Sequence, residues 1–383
     1  MRKVRAAVIT KPGEIKIQEF PYPSVKESDM LVKMEMSGIC GTDKHTYKGE
    51  LRQYAGTAAE EDIPLPIIPG HEDVGVVAEI GKQAKKNLEF YGRELKEGDR
   101  VVICPDIICG RCWYCRHIAA YPWCENIKTY GVTISCKTPP HLFGGWAEYM
   151  YVTSDTFVFK VPPEIPPRIA VLTEPLVVTY LFDKAKEFYS LGGEGFGTGD
   201  TVLIQGTGPL GLCHIIKARI MGAGQIIAID KSEYRLKLAK DFGADVTINV
   251  EKTTEKERIE KVKALTDARG VDLVVECVGI PEVVREGIEM LRKGGMYFEV
   301  GNYVETGTVS LSPHRHMLAK SIRLIGMTNH PYTGYGPTLK LIERYLHTIP
   351  FERIVTHQYK IEDAEDAILK SMQAESMKVV IVP

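Results

Sequence analysis

Four of the chain's nine cysteines fall close together: Cys109, Cys112, Cys115 and Cys124, with two, two and eight residues between them. Thiolates are soft ligands, and zinc in a structural role takes four of them in a closed tetrahedron. Short spacings let one loop supply all four. The cluster therefore predicts a zinc site that braces a lobe and leaves no position open for chemistry. The plainer alternative, free thiols in a loop, would leave reactive sulfurs at unusual density. A disulfide scaffold is disfavoured, because the chain is long and its cysteine number odd. Cys104 and Cys136 flank the cluster outside its spacing, while Cys213 and Cys277 fall in expected helix and strand and read as buried, inert thiols.

A second set of residues suits a dinucleotide. Gly206-Thr207-Gly208-Pro209-Leu210-Gly211 follows the apolar run Thr201–Gln205 and opens a helical pattern over residues 209–221. In that setting the first glycine permits a tight turn, the second lets backbone approach a pyrophosphate, and the third lets helix pack on strand. The helix start offers free N–H groups to phosphate. Asp230 ends the next apolar run, 19 residues after Gly211. A carboxylate there accepts from both ribose hydroxyls and repels a 2′-phosphate, which favours NAD over NADP. Lys231 and Arg235 stand close behind and soften that preference. An ordinary βα turn and a solvated strand end are the alternatives, and the ordered run of strand, glycines, helix, strand and acid argues against them.

These residues need elements to hold them. The first ~170 residues are strand-rich, with short β-branched runs at 5–10, 30–36, 74–80 and 100–104 between Gly and Pro punctuators. From about Leu172 the texture changes. A glycine-rich stretch, 192–199, precedes buried runs at Thr201–Gln205, 226–229, Val246–Asn249, 272–277, 297–300 and Arg323–Gly326, separated by helix-length segments. Such alternation is what βαβ units produce, because parallel strands covered on both faces are apolar throughout. The mixed-charge run 252–263 reads as a solvated helix face. Helical segments are expected near 338–346 and 362–372, and Lys378–Val382 as a closing strand.

At 383 residues the chain exceeds the size of one usual core, so two domains are expected. Hydrophobic residues are 44% and charged residues 26%, as in ordinary globular proteins. A net charge of −2 supplies no field to recruit nucleic acid or an acidic membrane surface. No run approaches the roughly 18 apolar residues of a membrane span. The N-terminal segment reads as a strand rather than a secretory signal, so a cytoplasmic protein is expected.

Cys40-Gly41-Thr42-Asp43-Lys44-His45 and Gly70-His71-Glu72 are each compatible with ordinary core residues when read alone. Together with the cysteine cluster and the glycine turn they carry more. So do Gly98-Asp99-Arg100-Val101, Gly144-Gly145-Trp146-Ala147-Glu148-Tyr149, Glu174-Pro175-Leu176 and Gly294-Gly295, which occur in the matching order. Over essentially its whole length the chain resembles the zinc-containing medium-chain dehydrogenases, which include alcohol, sorbitol and threonine dehydrogenases. The resemblance implies an α/β protein. A β-rich, GroES-like catalytic domain would span 1–174 and 328–383, with the cysteine lobe at about 104–126. A doubly wound parallel sheet, the Rossmann domain for NAD, would span 175–327.

It further implies that Cys40 and His71 ligate a catalytic zinc. Glu72 would be either a ligand or a carboxylate moving on and off the metal. Glu174 stands where the well-known alcohol dehydrogenases have a third cysteine, and the polyol and threonine branches have glutamate. Which carboxylate ligates stays open. Asp43 would orient His71 through its free ring nitrogen. Thr42 would take the substrate's hydroxyl proton and pass it by way of the cofactor ribose to His45. Val278, Val300 and Asn302 fall where relatives present backbone to the nicotinamide amide. Pro105 and Asp106 either face substrate or form a solvent-facing turn.

The implied reaction is oxidation of a small secondary alcohol or polyol by hydride transfer to NAD, with zinc stabilising the alkoxide. A threonine-type amino-alcohol dehydrogenase shares every motif, and a non-catalytic cofactor-binding relative is a more distant alternative. A homo-oligomer, tetramer or dimer, is also implied. Two departures stand out: eight residues between Cys115 and Cys124 where the family usually has seven, and apparent insertions near 50–64 and 87–94.

Overall fold

A computed structural model describes residues 2–118, 123–187 and 194–383. Residues 119–122 of the cysteine lobe, and the first two residues of the glycine-rich stretch, lie outside the described residues. The chain divides into two compact units, Met1–Val177 with His330–Pro383, and Val178–Asn329.

The first unit is built on a seven-stranded sheet. Its path runs Val158–Lys160, Arg100–Ile103, Glu72–Ile80, Met30–Gly38, Lys378–Val382, Val355–Lys360, and Tyr149–Val152 pairs with Met30–Gly38 as well. Only the last pair on the path is parallel. Leu31, Val32, Val101, Met150, Val158, Val379 and Ile381 bury their side chains in one core. The strands carry apolar residues on both faces where the hairpin Lys3–Lys11/Glu14–Pro21 and the helix Ala364–Ser371 cover them.

The register of the two central strands brings the ends of two loops together. Gly38 pairs with Glu72, and Val380 of the closing strand pairs with Gly38. A Cβ on Gly38 would stand 1.9 Å from the Glu72 carboxylate, so only glycine lets that side chain lie across the strand. The expected helix near 338–346 starts earlier, at Tyr335–Tyr345. Pro337 is compatible with this because it sits in the first turn, where a missing N–H costs nothing.

The second unit is a six-stranded sheet in the order Val246–Asn249, Gln225–Asp230, Thr201–Gln205, Val271–Glu276, Leu291–Glu299, Arg323–Gly326, parallel throughout. Numbered along the chain this is 3-2-1-4-5-6, the doubly wound dinucleotide-binding order, which leaves a crevice where the connections diverge from the first strand. One expectation needs correction. Arg323–Gly326 is not a buried run: it is the sheet's edge, and Leu324 is exposed. Only one neighbour and one covered face are available to it. The mixed-charge run is α-helical only from Glu255, after the short 3-10 turn Val250–Lys252, and Thr254 caps Glu255–Ala264 by accepting from the Glu257 N–H.

Candidate metal and cofactor sites

The Gly38/Glu72 pairing brings two loops together at one end of adjacent strands. Cys40 lies two residues beyond Gly38, and His71 immediately precedes Glu72. The His71 imidazole lies in the field of Cys40, and its Nδ1 is buried without a hydrogen-bond partner. Asp43 Oδ1 lies 3.8 Å from Nδ1. Asp43 itself is buried in the first turn of the helix Gly41–Lys48 and accepts from the Cys40 N–H at 2.8 Å and the Gly70 N–H at 3.4 Å. One carboxylate thus ties the Cys40 loop to the His71 loop and stands behind the ring.

Glu174 is on the short helix Thr173–Val177. It accepts from His330 Nε2 at 3.0 Å, and the Tyr335 hydroxyl lies 3.4 Å from the same nitrogen. Burial pushes Glu174 up, but the bond from His330 and the charges of His330 and His71 outweigh it and hold the carboxyl below its ordinary value. Burial likewise opposes protonation of His71, yet Asp43 and Cys40 hold its pKa well above the usual value. The net pull is toward protonation, as expected where anionic groups surround a buried imidazole. Sulfur, imidazole and carboxylate are also a donor set that zinc accepts.

Glu72 is engaged elsewhere. Both its oxygens pair with Lys378 Nζ, at 2.5 and 2.6 Å, and Nζ also donates to the Ile39 carbonyl at 3.3 Å. Burial pushes the carboxyl up and the ammonium down. Contact at this distance with both oxygens makes the pair charged, with Lys378 raised by Glu72. Asp106 is buried, not in a solvent-facing turn; its Oδ1 accepts from Thr129 Oγ1 at 2.9 Å, and its charge acts on His330. Thr42 and His45 are both on the helix Gly41–Lys48, Thr42 buried and His45 partly exposed with its Nδ1 on Glu50.

The four clustered cysteines place their sulfurs all within 4.8 Å of one another, the one such group of metal-ligating side chains among the described residues. Cys112 Sγ is 3.4 Å from Cys115 Sγ and 4.0 Å from Cys124 Sγ. Those values bracket the edge of about 3.8 Å that a tetrahedron with Zn–S near 2.3 Å requires. The extra loop residue before Cys124 does not displace it. Backbone N–H groups of Cys109 and Asn126 point at Cys124, and that of Cys112 at Cys109. Backbone N–H donors lower Cys109 to about 6, while burial first, then its neighbouring thiols, push Cys115 to about 12. Four thiols so close cannot all ionise without a cation among them.

In the second unit Gly206 has φ +85, and a Cβ on Gly211 would stand 1.9 Å from the Gly206 carbonyl. The turn and the close packing of helix on turn both require glycine. Gly208 caps the helix Pro209–Ile220, and a Cβ there would meet only Arg235 Nη1, at 3.7 Å, so the space above the turn is open to a phosphate. Pro209 and Leu210 form the first turn. Asp230 accepts from the Thr207 N–H at 2.7 Å and the Ser232 N–H at 2.8 Å. Each oxygen keeps a lone pair for ribose. The Cys277 N–H donates to the Gln205 carbonyl at 2.8 Å, which sets Val278 beside the glycine turn; Val300 and Asn302 follow the neighbouring strand.

Lys378 and His330 do not follow from the motifs. The one sign of Lys378 is a cation opening an otherwise apolar closing strand; His330 comes after the last Rossmann strand with no pattern around it.

Residues 26–163 match the alcohol dehydrogenase GroES-like domain and residues 209–343 the zinc-binding dehydrogenase domain. The chain is 30% identical to erythritol/L-threitol dehydrogenase of Mycolicibacterium smegmatis, over 100% of this chain and 98% of that one. It is 31% identical to L-threonine 3-dehydrogenase of Pyrococcus horikoshii, over 99% of each. The crystal structure of an alcohol dehydrogenase from Thermotoga maritima superposes with a TM-score of 0.88 at 30% identity, covering both chains fully. No helix among the described residues is long and apolar enough to cross a membrane. The chain belongs to the zinc-dependent medium-chain dehydrogenase family, enzymes whose cofactors are zinc and a nicotinamide dinucleotide.

Proposed function

We propose that this enzyme oxidises a small secondary alcohol or polyol with NAD, using Cys40, His71 and Glu174 to hold the catalytic zinc, with Glu72 beside it. The observation that carries the reading is Glu174, an oxygen donor poised by His330 within the field of His71. Bound zinc would supply a Lewis acid that makes a hydroxyl easier to deprotonate. The chain's own residues do the rest. In this reading Asp43, behind the His71 ring, orients it, Thr42 receives the proton, and His45, paired with Glu50, releases it. Cys109, Cys112, Cys115 and Cys124 would hold a second zinc with no open position. The names of two relatives, acting on a tetritol and on threonine, support the polyol reading and keep an amino-alcohol substrate as the second. A cytoplasmic homo-oligomer, tetramer or dimer, fits the same reading.

The deciding experiment is a rate survey over diols, polyols, sugars and amino alcohols with NAD, before and after chelation. Polyol rates that vanish with the metal support the proposal; preference for amino alcohols replaces it with the second reading. Metal analysis is expected to find about two zinc ions per chain, one of them removed more readily. A single tightly held ion would sink the two-site assignment.

Asp230→Ala is expected to lower the NAD-to-NADP selectivity ratio about tenfold or more, the worth of a charge-assisted hydrogen bond. Any loosening of the glycine turn affects both cofactors and cancels in the ratio. An unchanged ratio removes Asp230 from the ribose.

A further inference from the structure

Glu276 and Glu299 form a buried carboxyl pair that none of the chemistry above uses. The parallel register sets Gln205 beside Glu276, and Glu276 beside Glu299. Registered neighbours project to the same face, so three polar side chains stand in a row at the carboxyl ends of adjacent strands. Gln205 is satisfied: its amide donates to the Val283 carbonyl at 2.9 Å, and its oxygen accepts from the Tyr297 hydroxyl at 3.2 Å. The two glutamates are held by their own turns, and one oxygen of the pair is left over. Glu276 is fully buried, and its Oε1 accepts from the N–H groups of Val278 and Gly279. Glu299 Oε1 accepts from Asn302 N and from Asn302 Nδ2, both at 3.0 Å, and the same amide reaches Glu276 Oε2 at 3.4 Å. Glu299 Oε2 is buried with no donor, while the two carboxyls lie within hydrogen-bonding reach of each other.

Among the described residues no cation is paired with either carboxyl. Of the groups that the pair acts on, Tyr297 comes from the strand of Glu299, and Cys277 directly follows the strand of Glu276; Glu286, on the helix Pro281–Met290, acts on Tyr297 and is already paired with Arg258 at 2.5 Å. Burial holds the phenol and the thiol protonated. Two carboxylates in contact without a counter-ion do not both ionise, and the stable state is one proton between them. The backbone around them is tight. A Cβ on Gly301 would stand 2.3 Å from Glu276 Oε2 and 2.5 Å from the Gly279 nitrogen, and one on Gly279 would stand 2.6 Å from the Gly301 carbonyl.

We propose that Glu276 and Glu299 share one proton and so clasp the turns 277–279 and 300–302 together, as positioning residues for the nicotinamide end of the dinucleotide. This rests on the reading of Val278, Val300 and Asn302 as cofactor contacts. Each carboxyl holds the N–H groups of its own turn, and the shared proton holds the carboxyls to each other. Removing that proton puts two like charges in contact and drives the turns apart. Burial, then the Glu299 charge, push Glu276 up to about 8 from an ordinary 4.5. The raised value means that the clasp's contribution is fully present below about 4.5 and is lost as pH rises through about 8.

The test compares dissociation constants for NADH and ADP-ribose on the zinc-loaded enzyme between pH 6.5 and 9.5, for wild type and Glu299→Gln. The amide carries its own hydrogens and needs no shared proton. Wild-type NADH affinity is expected to fall about tenfold across the alkaline limb, as a one-proton linkage allows. ADP-ribose, which lacks the nicotinamide, is expected to change less than about twofold, and Glu299→Gln to give a flat NADH profile. If that variant does not fold, Glu276→Gln must give the same flat profile from the other side. Parallel NADH profiles in wild type and variant overturn the proposal, as does an ADP-ribose profile that falls with NADH. Absence of NADH binding at every pH with ADP-ribose still bound removes the nicotinamide contacts, and the clasp with them. Absence of both removes the dinucleotide reading itself.

Discussion

Cys40→Ser is expected to lower alcohol turnover by more than about 100-fold while leaving NADH affinity within about twofold. Changes to groups that merely stand behind metal ligands cost about 10–100-fold, so losing the soft ligand itself should exceed that range. Cys40 is partly exposed and lies in a loop, so its replacement opens no core cavity. The residues that suit the dinucleotide lie in the other compact unit, on strands whose pairing does not involve Cys40. Zinc analysis adds a second readout: content should drop from about two ions per chain to about one, the cysteine cluster keeping its own. Turnover retained in a variant holding one zinc would remove Cys40 from the catalytic site. Loss of NADH binding would mean that the variant had lost its fold.

How much of the molecule is legible in its sequence depends on how local each interaction is. Cys109 to Cys124 form their site within one loop, so spacing alone carries the information, even across an extra residue. The glycine turn is local too, and Gly206 and Gly211 occupy the positions that a positive φ and a close helix approach demand. Asp230 is reached across one βα unit. Lys378 and Glu72, by contrast, are 306 residues apart and meet only because the closing strand returns beside Met30–Gly38. Nothing short of the sheet order predicts that contact. His330 meets Glu174 across 156 residues, where the helix Tyr335–Tyr345 packs on Thr173–Val177. The edge strand Arg323–Gly326 departs from expectation because its composition is that of an interior strand, and edge position is a property of the sheet. Glu276 and Glu299 each look like an ordinary polar strand end; their meaning lies in the register that makes them neighbours.

Lys378→Met should be among the most destabilising single changes in the first unit. Lys378 and Glu72 are both nearly fully buried, and among the described residues the ammonium is the one cation on both carboxylate oxygens. Removing one partner of such a pair leaves a buried charge alone and costs about 3–5 kcal/mol. For a unit of this size that corresponds to a fall in melting temperature of about 6–20 °C. The double variant Lys378→Met with Glu72→Leu is expected to recover all but about 1–2 kcal/mol, because an apolar pair of similar volume replaces a buried ion pair at little cost. Stability alone would then assign the pair a structural role. Turnover separates the two roles. If Glu72 serves the metal as well as Lys378, the refolded double variant should still lose about 10–100-fold in turnover, with weaker zinc retention and unchanged NADH affinity. A double variant that is stable, holds both zinc ions and turns over like the wild type would confine Glu72 to the ion pair, and leave Glu174 as the carboxylate of the site.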